Sequence, residues 1–143
     1  MAAASAEAFL CQPLLDLIVQ EADLFQLDPD LSHFTFMHHL ALQGQRICID
    51  EVAKVISEDD LNALLNAQDD SGATPIMVAA LQNGVFDDFR MQIMIRGFVQ
   101  LGADLEVKNE AGETVLVWTC GAGMDAVVEY LLDQGADINA VSD

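Results

Sequence analysis

One short passage occurs three times in this chain, and a chain with such self-similarity folds as a row of like units. The copies run from Ser32 to Gly44, from Ser71 to Gly84 and from Ala111 to Gly123. In each, a threonine opens an apolar run of helical length and a glycine closes it. A second apolar run follows, and a polar Gly/Asp/Asn segment leads into the next copy. The threonines are Thr35, Thr74 and Thr114, spaced 39 and 40 residues apart. Threonine caps a helix by accepting a free backbone N–H of the first turn. Pro75 suits a first helical position, where its missing donor is not needed. Ala79 and Ala80 allow close approach of a neighbouring helix, and Gly84 and Gly123 can take the positive φ that ends one. In the third copy a returning helix is expected over 125–132, with Val127, Val128, Leu131 and Leu132 as its apolar stripe. Neither helix of a pair can bury its stripe alone, so the units must stack.

The passages Gly72-Ala-Thr-Pro-Ile with Ala79-Ala80, Leu101-Gly-Ala-Asp104 and Leu132-Asp-Gln-Gly-Ala-Asp-Ile-Asn-Ala140 resemble the ankyrin repeat. The resemblance covers about residues 30–143. It implies an all-α solenoid of about three helix-turn-helix units, at 30–69, 70–109 and 110–143, with an N-terminal helical cap over 1–29. Pro13 and the one-sided spacing of Leu14, Ile18, Ala22 and Phe25 support helix in that cap. The family's period is about 33 residues, so the first two units each carry a surplus, within 45–57 and 85–97. Apolar residues at helical spacing (Phe86, Phe89, Ile93) predict a lengthened helix or a widened loop in the second. The first unit has His33 where the others have glycine before the Thr dipeptide, and it lacks a Gly-Ala-Asp.

Composition narrows what such a solenoid can do. Apolar residues make up 52% of the 143, enough for a core. The longest uncharged apolar stretch, 115–124, is too short to cross a bilayer, which takes about 20 residues. With 24 acidic residues against five basic ones the net charge is −19. A nucleic-acid backbone or an anionic membrane would be repelled, whereas a basic protein surface would be steered in. Cys11, Cys48 and Cys120 are odd in number and lack metal-ligand spacing, so they are expected to be reduced and buried. With no recognisable leader, the expected location is the cytoplasm or the nucleus.

No residue set calls for catalysis, a cofactor or a metal. His38 and His39 are adjacent and point to different helix faces, which makes a poor metal pair. The resemblance instead implies that His38 bonds neighbouring backbone. Asp69-Asp70-Ser71-Gly72 reads as a turn and Ser57-Glu-Asp-Asp60 as a helix start, since neither has the ligand pattern of a calcium loop. The resemblance therefore implies a non-catalytic module, an adaptor or inhibitor, that holds a partner on its turn tips and first helices. Carried over, that surface comprises Leu42 and Gln43, then Asp70, Ser71, Ala73, Leu81 and Gln82, then Glu110, Ala111, Glu113, Gly121 and Ala122. Trp118, the only tryptophan, is expected on the C-terminal end face, where self-association is one outcome and a covering partner another. Asn139, with Leu131, Asp137 and Ile138, resembles a site that an asparaginyl hydroxylase modifies in many animal ankyrin repeats; a turn-forming asparagine accounts for the same residues. Two other readings stand beside the adaptor: a regulatory ankyrin segment of a larger enzyme, channel or scaffold, and a self-assembling structural protein.

Overall fold

The computed structural model describes residues 11, 12, 16, 33–44, 46–81 and 88–139. Their regular elements are seven α-helices: α1 (Phe36–Gln43), α2 (Arg46–Val55), α3 (Glu58–Leu65), α4 (Pro75–Ala80), α5 (Asp88–Gln100), α6 (Val115–Gly121) and α7 (Asp125–Asp133). The inner helices α1, α4 and α6 pack in a row, and the outer helices α2, α5 and α7 form a second row behind them. The fold is the expected all-α solenoid. Most of the 1–29 cap lies outside the described residues, as do Phe86 and Gly84.

Local chemistry explains each inner helix. Thr35 caps α1, accepting the His38 N–H while its own N–H donates to His38 Nδ1 at 3.2 Å, and Gly44 ends the helix at φ 68°. Thr114 caps α6 through the Val117 N–H. Pro75 occupies the first turn of α4, as its missing donor allows. Every residue of α4 is buried, because α1 and α6 cover it from two sides. In the outer row the buried stripe of α5 is Met91, Met94, Ile95 and Phe98, at helical spacing, and that of α7 is Val127 and Leu131.

Three expectations need correction. The surplus of unit one, within 45–57, forms a separate helix, α2, so this unit has three helices. Unit two does use a lengthened helix, the 13-residue α5, but its core stripe starts at Met91. Phe89 is exposed and Ile93 half-buried, since the face that meets α4 is set by Met91, Met94 and Phe98. Cys11 and Cys48 are not separate thiols: they form a disulfide that ties the N-terminal segment to α2. Cys120, expected in a packing position, is free and exposed.

Consecutive units are joined by polar bonds at constant register. Asn66 Oδ1 accepts the Asp104 N–H, and Glu106 Oε1 accepts the Asp137 N–H, both at 2.9 Å. Outer helices are joined by arginines. Arg46 pairs with Asp50 and donates to the Ile93 carbonyl at 2.8 Å, lying over Gly97, whose lack of a side chain makes room for the guanidinium. Arg90 donates to the Gly44 carbonyl, and Arg96 lies 4.6 Å from the Tyr130 ring centre.

The caps of units one and two differ in one useful way. Where His38 stands in unit one, Met77 stands in unit two. Among the described residues the Thr74 hydroxyl is buried with no hydrogen-bond partner, whereas that of Thr35 is 2.9 Å from His38 Nδ1. A buried hydroxyl without a partner adds nothing and costs its desolvation. Thr74→Val should therefore leave urea stability unchanged or raise it by up to about 1 kcal/mol. Thr35→Val, which removes a cap bond, should cost about 1–2 kcal/mol.

Candidate partner-binding groove

The turn tips are built alike. Asp69 Oδ1 accepts from the Ser71 and Ala73 N–H groups and the Ser71 hydroxyl. Asn109 Oδ1 does the same for Ala111 and Glu113. Each tip closes through a glycine at positive φ, 78° at Gly72 and 76° at Gly112. The tips of units two and three touch through backbone: Glu110 N–H donates to the Ser71 carbonyl at 2.9 Å. They approach so closely that a Cβ on Gly72 would sit 2.8 Å from the Glu110 nitrogen.

At the first tip His33 fills the glycine register, at φ 59°. Its Nδ1 donates to the Asp70 carboxylate at 2.7 Å, so a side-chain hydrogen bond links units one and two where backbone links units two and three.

His38 ties the same two units from inside. Its Nδ1 accepts the Thr35 N–H, so its proton is on Nε2, which donates to the Ala73 carbonyl at 2.9 Å. That makes it the structural histidine the resemblance implied.

Between α4 and α6 lies an open groove of about 340 Å³, lined by Ala80, Leu81, Glu113, Val117, Trp118, Gly121 and Ala122. Leu81 is 51% exposed there. The Trp118 indole N–H donates to Glu113 Oε1 at 3.0 Å, which holds the ring at the groove wall. Leu81, Glu113, Gly121 and Ala122 all line this groove. Asp70, Ser71, Glu110 and Ala111 are exposed on the tips, and Gln43 is exposed at the end of α1 with Leu42 half-buried. Gln82 lies outside the described residues. Ala73 does not belong to the surface: it is 2% exposed and its carbonyl is committed to His38. Trp118, expected on the end face, lines this groove instead, because α6 turns it toward Leu81 of the preceding unit. Asn139 is exposed, its N–H donating to the Asp137 carboxylate at 2.9 Å.

All five basic residues of the chain are placed by the structure. Arg46, Lys54, Arg90 and Arg96 are on the outer helices, Lys108 is in the loop before the third tip, and none lines the groove.

A stacked helical solenoid with an exposed inner groove defines a repeat protein with an interaction face. A sequence profile of ankyrin repeats in three copies matches residues 50–142. This chain belongs to the ankyrin repeat family. It is 35% identical over 107 residues to neurogenic locus notch homolog protein 1 of Xenopus laevis, a match covering 73% of this chain and 4% of that protein. To neurogenic locus notch homolog protein 2 of Homo sapiens it is 34% identical over 132 residues, 91% of this chain and 5% of that one. The chain thus spans only a small fraction of the length of these relatives. Among the described residues no helix is long and apolar enough to cross a membrane.

Burial lowers the His38 pKa from its ordinary 6.5, outweighing the bond to Ala73 and the Asp69 charge, which raise it. The unfolded chain therefore binds the proton more readily than the folded one. The stability this neutral histidine contributes is fully present above pH 6.5 and is lost as pH falls through its lower folded value. The urea midpoint of the wild type, measured against that of His38→Gln, should converge on it as pH drops below 6.5. A difference that does not change with pH would show that His38 binds its proton equally well in the folded and unfolded chains.

Proposed function

We propose that this chain is a non-catalytic protein-interaction module, an adaptor or inhibitor, whose groove between α4 and α6 takes an apolar side chain of a basic partner. The observation that carries the reading is Leu81, half-exposed opposite Trp118 in a groove with acid on its rim. An apolar centre within a charged rim is how protein interfaces are commonly arranged. Asp70 and Glu110 on the tips, with Glu113 on the wall, present carboxylates to a partner's lysines or arginines. Because the cations of the outer helices face away, nothing in the groove opposes such a partner.

Gly121 supports the same reading. Its φ is not positive, and a Cβ there would meet nothing within 4 Å. Neither backbone nor packing asks for glycine. Its effect is to leave the groove wide.

A second reading, a regulatory ankyrin segment within a larger enzyme, channel or scaffold, rests on the small share, 4–5%, that similar stretches occupy in the notch proteins. The length of the native transcript tests it.

For the first reading, affinity capture from the source cell at low and high salt is compared across variants whose folding is checked by circular dichroism. Leu81→Asp should reduce capture about 30-fold or more, as loss of a central anchor does. Gly121→Leu, which fills the groove while keeping the helix, should do the same. Glu110→Lys should weaken capture several-fold at low salt and little at high salt. Unchanged capture by both Leu81→Asp and Gly121→Leu would remove the groove from consideration.

A further inference from the structure

We propose that Cys11 and Cys48 form a redox-operated clamp on unit one, closed by exchange with a small disulfide such as oxidised glutathione. The two sulfurs are bonded across a sequence separation of 37 residues, and that span contains the whole of α1. Both cysteines are buried, in one apolar core with Met37, Ile49 and Val52. The third cysteine, Cys120, is exposed and unpaired in unit three. Pairing is therefore set by the fold and not by chance encounter.

Closure proceeds in two exchanges. One cysteine, as thiolate, attacks the disulfide of oxidised glutathione, forming a protein–glutathione disulfide and releasing one glutathione thiolate. The second cysteine thiolate then attacks the protein sulfur of that mixed disulfide, forming the Cys11–Cys48 bond and releasing the second glutathione. The two cysteine protons end on the two released glutathione thiols, and the protein loses the two electrons that glutathione gains.

What the clamp holds follows from where it sits. In a solenoid each unit is stabilised by its own contacts and those with its neighbours. Closing a loop around α1 removes freedom from the unfolded form of unit one. Unit one holds the histidine that bonds Ala73 and the histidine that pairs with Asp70, so the clamp stiffens the first inter-unit joint. Its effect must fade toward unit three.

The full chain is refolded in a glutathione redox buffer, alkylated without reduction, digested and analysed by mass spectrometry. A linked Cys11–Cys48 peptide with Cys120 alkylated is the expected result; alkylated Cys11 and Cys48 would overturn the pairing. Amide hydrogen exchange is then compared between oxidised and reduced protein. Exchange over α1 and α2 should accelerate about tenfold or more on reduction, with α6 and α7 unchanged. Equal exchange in both forms, or a change spread evenly to unit three, would overturn the clamp.

Discussion

Every residue of α4, from Pro75 to Ala80, is buried, and six residues cannot hold a helix in water by themselves. This helix exists because α1 and α6 lie against it, and they in turn use it as their inner wall. The core is thus shared between neighbours and belongs to no unit alone. Polar bonds then fix how far apart the units sit. Asn66 to Asp104 and Glu106 to Asp137 repeat one bond at one register, so spacing is set by side-chain length while adhesion comes from apolar burial.

Placement of charge follows from that division. The outer row carries Arg46, Arg90 and Arg96, which bridge neighbouring units by bonding backbone carbonyls or lying on an aromatic ring. With 24 acidic residues in the chain, cations used in this way cannot also neutralise the tips. The inner edge keeps its carboxylates, and several of them do structural work: Asp69 organises its own turn, and Glu113 holds an indole. Acidity there is partly architecture, and only exposed groups such as Glu110 are available to a partner at no cost to the fold.

The solenoid itself was legible because its causes are local. A threonine cap, a proline in the first turn and a glycine at the tip each act within a few residues, and three copies in register reinforce one another. What escaped depends on distance through space. That Cys11 is bonded to Cys48 is a matter of distance through space, which no spacing rule shows for two cysteines 37 residues apart. Ala73 looked like a surface residue from its place in the turn, but its carbonyl is taken by a histidine of the preceding unit. Trp118 shares its groove with Leu81, which lies in another unit and so is remote in sequence. The extra helix of unit one was hidden in what the repeat pattern treats as surplus.

The three units also show how one register can serve different ends. After the capping threonine, unit one places His38, unit two Met77 and unit three Val117. The histidine makes a directional bond that locks units one and two. Methionine gives only apolar contact and strands the Thr74 hydroxyl. Valine leaves room beside it, and Val117 becomes part of the groove wall. Four residues further on, Leu42 and Leu81 are followed in the third unit by Gly121, which no packing contact demands. Moving from unit one to unit three, the chain trades inter-unit bonds for open space. The groove therefore forms at the joint between units two and three, where the tips meet through backbone and no side chain of Gly121 fills the space between α4 and α6.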